Sequence, residues 1–235
     1  MCWSWAVPLS RRVLANEGSA VANGQVVRYV GFVMMSLALA ACALSRSTEG
    51  PVRTYVLASE ESALEGGVPT APSGVQGVLI VGLPQADAGF DTPRMAYVQR
   101  SHEVNYYATS QWADSPARMV VPLLIRSLER TGLWRAVVAM PTTIRGDYRL
   151  DVSGLLLQHE FLQQPSRVRV LLRAELVEMT EQRLLGARSF EALEPAPSED
   201  AYGGVLAANR AVGKVLHAVE SWITSCLHGS AKTAC

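Results

Sequence analysis

Apolar residues recur every three or four positions near the end of the chain. Val205, Ala208, Val212, Val215, Val219, Trp222 and Cys226 form one stripe, widened by Leu216 and Ile223. Arg210, Lys214 and Glu220 fall off it. The spacing predicts an amphipathic, core-facing helix of about six turns. A second helical pattern runs through Met119, Val120, Leu123, Leu124 and Leu128 and stops at Gly132. Asp114 or Ser115 can cap it, and Pro116 suits its first turn, where a missing N–H would be unsatisfied anyway. Pro122 lies inside this pattern. It removes a backbone hydrogen bond and crowds the carbonyl four residues back, at roughly 3 kcal/mol. Either the helix kinks there or its regular part starts later.

Other stretches carry the period of two. Val168, Val170, Leu172, Ala174 and Leu176 alternate with Arg167, Arg169, Leu171, Arg173 and Glu175, which predicts a long half-buried strand with a basic outer stripe. Thr180 to Arg183 turns the chain, and Leu184 to Ala192 returns as the antiparallel partner. Tyr148 to Ser153 also alternates and is continued by Leu155 to Leu157 towards Phe161. Met95–Arg100 and Val104–Thr109 read as a hairpin around Ser101-His102-Glu103. Val75 to Leu83 is an almost unbroken apolar run that suits a strand buried on both faces. Arg53 to Ala58 and Trp134 to Met140 complete the strands. Ser59–Gly74, Pro84–Pro93 and Pro195–Ser198 read as loops or linkers. Two helices covering one face of a mostly antiparallel sheet is the simplest way to bury both stripes, so the expected fold is α+β.

One apolar run belongs to no such element. Val30 to Ala41 follows Arg28, ends in small residues, and is too short to span a membrane. It reads as the core of a signal segment covering residues 1–41. Residues 1–25 fit no short signal peptide, and the simplest account is a true translation start near Val26 or Val27. The closing tetrad Leu39-Ala40-Ala41-Cys42 resembles the bacterial lipobox, in which the cysteine is acylated and becomes the new N-terminus. Cys42 is therefore the expected lipidation site. Residues 42–52 would be a tether, 53–228 one periplasmic domain, and 229–235 a tail.

Charge adds little attraction for a partner. Cutting before Cys42 leaves 18 basic and 20 acidic side chains, a net of −2. That is no footprint for nucleic acid and no polybasic membrane patch, so adhesion falls to the acyl anchor. Cys226 and Cys235 remain in an oxidising compartment, where a disulfide between them competes with Cys226 as a small core residue and Cys235 as a frayed end.

Recognisable chemistry is sparse. His159-Glu160 lacks the second histidine of a zinc helix and lies on a strand. His102, His159, His217 and His228 are scattered and read as surface or hydrogen-bonded residues. Gly213-Lys214 is followed by Val215 and forms no phosphate loop, and no serine sits in a nucleophile elbow. Glu60-Glu61 and Glu199-Asp200 read as solvated loop acids, and Gly203-Gly204 as a flexible helix start. No catalytic residue, metal site or cofactor is expected.

The stretch Phe90-Asp91-Thr92-Pro93-Arg94-Met95-Ala96-Tyr97-Val98-Gln99-Arg100, then Tyr106-Tyr107 and Trp112-Ala113-Asp114-Ser115-Pro116, resembles the signature region of the ABC-type transport auxiliary lipoproteins. These include the intermembrane transport lipoprotein of the paraquat-inducible type. Tyr55-Val56-Leu57 and Leu185-Gly186-Ala187-Arg188-Ser189-Phe190 extend the match. Phe90 replaces the usual leucine, and Pro122 interrupts the first helix. The resemblance implies a non-enzymatic accessory of an ABC system. Such a system uses a mammalian-cell-entry-type periplasmic protein and moves lipids or hydrophobic solutes between bacterial membranes. Docking on that protein is implied, and a homo-oligomer is compatible with it. Ala43 rather than Asp after the lipidated cysteine points to the outer membrane.

The candidate docking surface is the hairpin, with Tyr97, Tyr106, Tyr107 and Trp112 beside Arg94 and Arg100, since aromatics and Arg are enriched at interface hot spots. The competing reading gives alternate members of the set to the core beneath the first helix. Two other functions stay open. One is an envelope-assembly lipoprotein supporting an outer-membrane translocon or the cell wall. The other is a lipid carrier, which the dense Leu/Val strands disfavour because a carrier needs a cavity.

Overall fold

The computed structural model describes residues 28–29, 50–58 and 77–228. The chain divides into two units, Met1–Glu49 and Gly50–Cys235. The first is described only at Arg28 and Tyr29, and the sheet and its helices belong to the second. Apart from Arg28 and Tyr29, the signal segment lies outside the described residues, as do Cys42, the tether at 43–49, the expected loop at 59–74 and the 229–235 tail. Among the described residues, no helix is long and apolar enough to cross a membrane.

The elements run β1 (Arg53–Tyr55), β2 (Val78–Val81), β3 (Arg94–Arg100), β4 (Glu103–Trp112), α1 (Pro116–Arg130), β5 (Ala136–Ala139), β6 (Tyr148–Glu160), β7 (Arg167–Glu178), β8 (Arg183–Pro195) and α2 (Ala201–His228). They build one eight-stranded sheet with two helices, the α+β fold that the alternation predicts. β6 is its axis. One edge of β6 pairs antiparallel with β7 from Tyr148–Glu178 to Glu160–Arg167, and β7 pairs antiparallel with β8. The other edge is divided. Its first part takes β2 in parallel, followed by β5. Its last part takes β3 in parallel, with Tyr97 opposite His159, followed by β4 and β1. The sheet is thus mixed. The long pairings are antiparallel as expected, and the short ones, apart from the β3–β4 hairpin, are parallel.

The inward residues of β6 change phase, from Leu150 and Val152 to Leu155, Leu157 and His159. A register shift between Ser153 and Leu156 makes the step. Gly154 sits there at φ 61, a conformation open mainly to glycine. The loop after β2 follows the same step. Gln85 N–H donates to Val152 O and Leu155 N–H donates to Gln85 O, each at 3.0 Å.

Leu150, Leu172, Ala174, Leu176, Val215, Val219, Trp222 and Ile223 share one continuous core. Each fully buried large side chain contributes roughly 1.5–3 kcal/mol. α2 packs on β7 and β8, while α1 touches β5, β6 and α2. α2 is longer than its stripe predicts, at 28 residues. α1 runs unbroken through Pro122 from Pro116. Its N-cap, Ser115, makes no side-chain cap hydrogen bond. Instead, Asp114 Oδ1 accepts the Ser115 N–H at 2.7 Å, and proline opens the first turn.

Candidate functional site

The hairpin set separates into three environments. Trp112 is 1% exposed and belongs to the core, which removes it from any docking surface. Tyr97 and Tyr107 are half-buried, with ring centroids 4.9 Å apart. Arg94 and Tyr106 point to the opposite side of the hairpin, as alternation requires. The Arg94 guanidinium lies 3.9 Å from the Tyr106 ring centroid, a cation–π contact. The Tyr106 hydroxyl donates to Gly89 O at 2.8 Å and fixes the stack to the preceding loop. Arg100 is exposed near the hairpin turn, away from this pair.

The Arg94–Tyr106 pair, with Ala86 to Gly89, Asp91 and Thr92, lines a depression of about 330 Å³. Asp91 also borders a groove of about 530 Å³ formed by Leu83, Pro84, Ala117, Arg118, Val121 and Pro122. Its walls are largely apolar, with Asp91 and Arg118 as charges. Pro122, which reads as a helix defect in the sequence, is part of its surface. The side chains of this face therefore include an anchored arginine–aromatic pair, an apolar cleft and charges of both signs.

The second cluster surrounds His159, which continues the inward register of Leu155 and Leu157. Its Nδ1 lies 3.0 Å from the Tyr107 hydroxyl and its Nε2 lies 2.8 Å from Ser166 Oγ. Glu199 accepts the Ser166 backbone N–H at 2.8 Å. One arrangement satisfies both ring nitrogens with a neutral imidazole. Tyr107 donates to Nδ1 and Nε2–H donates to Ser166 Oγ. Burial holds the His159 pKa below its usual value, against the pull of Glu199 and Asp200. Burial likewise raises the Tyr107 hydroxyl well above the ordinary phenol range, helped by Asp200, Tyr97 and Glu199.

Serine, histidine and carboxylate here do not form a nucleophilic triad. In such a triad the serine gives its proton to histidine, and the acid orients the other ring nitrogen. In this chain the acid holds the serine backbone N–H rather than the ring, tyrosine occupies the other nitrogen, and Ser166 is 0% exposed. The cluster instead joins β4, β6, the following turn and the start of α2.

Two sequence readings change at this point. Glu199-Asp200 is not merely a solvated acidic pair. Glu199 holds Ser166, and Asp200 accepts the Gly203 N–H and the Ser198 hydroxyl, each at 2.7 Å. Gly203-Gly204 is not a loose helix start. A Cβ on Gly204 would stand 2.7 Å from His159 Nδ1, and one on Gly203 would stand 2.2 Å from Ser198 O. Glycine is required by close packing. An acidic pair and two glycines ahead of an apolar stripe carry no local sign of this packing, and nothing links them to a histidine forty positions earlier.

The outer stripe of β7 is paired rather than free. Glu160 faces away from the helices yet is 2% exposed, because arginines cover it. Arg169 Nε lies 2.6 Å from its carboxylate and Arg167 Nε 3.5 Å, while Gln158 donates at 2.8 Å. Arg169 also pairs with Glu191. Burial raises the Glu160 carboxyl, but the hydrogen bonds from Arg169 and Gln158 and the charges of Arg169 and Arg167 outweigh it and hold it below the usual range. On the helix face, buried Glu194 is met by Lys214 at 2.5 Å and Arg210 at 3.5 Å.

His102, His217 and His228 are exposed and lie apart from the His159 cluster. Among the described residues, no group of three or more His, Cys, Asp or Glu side chains is placed to hold a metal ion. Cys226 is disulfide-bonded, and Cys235 lies outside the described residues.

A family model, that of the ABC-type transport auxiliary lipoprotein component, matches residues 55–220, which span the sheet and most of both helices. The chain belongs to that family. Protein XCC0632 from Xanthomonas campestris has a similar solved structure, with 23% identity and a TM-score of 0.62 over 74% of this chain and 95% of that one. A second solved structure, of an uncharacterized protein, gives 11% identity and a TM-score of 0.56 over 74% of this chain and 99% of that one. Both show the fold. No curated protein matches the chain.

Proposed function

We propose that the protein is a lipid-anchored docking component of an ABC system that moves lipids or hydrophobic solutes between bacterial membranes. Cys42 carries the anchor, the outer membrane holds it, and the binding partner is a mammalian-cell-entry-type periplasmic protein. The observation that carries this reading is the family match, which runs through nearly all of the described domain. Membership of a transport auxiliary lipoprotein family supports a location in the cell envelope.

The geometry supports docking over chemistry. The serine–histidine pair is sealed from solvent, with His159 2% and Ser166 0% exposed. The accessible features are of the kind proteins use to bind one another. Arg94 is held over Tyr106 at modest entropic cost, and it stands beside the apolar cleft of Leu83, Val121 and Pro122. This face is the proposed partner contact, which narrows the hairpin set to Arg94 and Tyr106.

Affinity capture of the tagged lipoprotein from native membranes, with identification of its companions, tests the reading. The expected result is a permease, an ATPase and a periplasmic mammalian-cell-entry-type protein. Recovery of an outer-membrane translocon or cell-wall machinery instead would contradict it.

A further inference from the structure

Strand register fixes where the chain enters the domain. β1 runs parallel to β4, with Arg53 opposite Ser110 and Tyr55 opposite Trp112. Gly50 therefore lies on the side of β4 that leads back to the Ser101-His102 turn. β3 and β6 are parallel, with Val98 opposite Glu160, so the Phe161–Ser166 turn lies at that same end of the sheet. The β7–β8 turn lies at the other end, beyond Glu178 and Arg183. The 12-residue β7 separates the two ends by about 40 Å.

We propose that the end carrying the Ser101-His102 and Phe161–Ser166 turns rests on the bilayer that holds the lipid anchor. This orientation depends on Cys42 being acylated. Seven residues, 43–49, then separate the anchored Cys42 from Gly50, and the eight steps reach about 28 Å even when fully extended. That is shorter than the distance to the far end, so the β7–β8 turn cannot face the membrane.

The sides of the domain are poor alternatives. The open face of the sheet carries Arg167, Arg169, Arg173, Glu175 and Glu191, whose ion pairs would have to be desolvated. The outer side of α2 presents Lys214, His217 and Ser221. The tethered end presents exposed apolar side chains on each of its projections: Val52 on the entering segment, Val104 beside the first turn and Leu162 in the second. Its exposed charges are of both signs, among them Arg53, Arg100 and Glu103. The contact is therefore apolar and does not require anionic lipid.

The test uses the full-length acylated lipoprotein, purified from membranes and reconstituted into phosphatidylcholine vesicles. Val104→Cys, Leu162→Cys and Leu184→Cys each replace an exposed side chain and each carries an environment-sensitive fluorophore; Leu184 marks the far end. Nitroxide-labelled lipid is expected to quench the labels at 104 and 162 severalfold more than the label at 184, at low and at high salt alike. Equal quenching at all three sites, or stronger quenching at 184, overturns the orientation. Mass spectrometry of the same samples separates the two levels of the claim. Acylated Cys42 with aqueous labels at 104 and 162 overturns this contact alone, whereas an unmodified Cys42 removes the anchor and the orientation together.

Discussion

The two edges of β6 are built differently. On one side, β7 and β8 add long antiparallel strands in nearly continuous register, and α2 covers them with one apolar stripe. On the other side, short parallel strands, a three-residue edge strand and the segment from Gly82 to Phe90 share the edge, and α1 carries an internal proline. On the first side Phe190 packs edge-on against Trp222, with ring centroids 5.6 Å apart. The second leaves the cleft at Leu83 and Pro122 and the Arg94–Tyr106 stack at its surface. Regular pairing gives the longer, more continuous core, and the irregular side carries the surface proposed as the partner contact.

Substitutions on the two sides should change stability in opposite directions. Trp222 is 3% exposed, and Trp222→Ala removes its burial and leaves a cavity. Denaturant melts of the domain are expected to show a loss of about 3–5 kcal/mol, a large share of a typical stability of about 5–15 kcal/mol. Pro122→Ala should do the reverse. Pro122 is exposed in a helix interior, and alanine restores a backbone donor toward Arg118 O. A gain of roughly 1–3 kcal/mol is expected, less than the full propensity difference because the native helix already accommodates the ring. A destabilised Pro122→Ala domain would mean that the cleft depends on that ring for its packing.

The His159 cluster joins the two sides, and its effect appears as a pH dependence. His159 is neutral in the fold, with a pKa below the ordinary 6.5. The unfolded chain therefore binds more protons as pH falls below about 6.5, and stability should decline over that range. His159→Gln should flatten this limb in melts taken between neutral and mildly acidic pH. The separate limb from Glu160 should persist. Its pKa is depressed, so the stability it contributes is present above the usual carboxylate range and lost below it. An unchanged limb near pH 6 in His159→Gln would show that another group carries it.

The regular side was legible because period and partner agree. Residues 167–176 alternate cleanly, their partner follows after one turn, and the stripe of α2 repeats at helical spacing. The irregular side was less so. The apolar run Val75–Leu83 predicts a long strand; residues 75–76 lie outside the described residues, and β2 ends at Val81 because the chain leaves it to follow the bulge at Gly154. Parallel pairing carries no local turn signal, so the predicted sheet was more uniformly antiparallel than the real one. Alternation divided the aromatic hairpin into two faces but could not say which face was covered. Trp112 went to the core because β1 and α1 flank it. The His159–Ser166–Glu199 cluster was out of reach, since its members come from elements whose juxtaposition is tertiary.

Partner binding on the irregular side is tested most directly by capture from native membranes with one charge reversal on each side. Arg94→Glu breaks the cation–π stack in the proposed contact, and Arg173→Glu alters an exposed position on β7. Both should fold, as exposed substitutions usually change stability by less than about 0.5 kcal/mol. Arg94→Glu is expected to lose the periplasmic partner while Arg173→Glu retains it. Retention by Arg94→Glu together with loss by Arg173→Glu, at equal expression and with unchanged melts, would put docking on the open face of β7 and contradict this assignment.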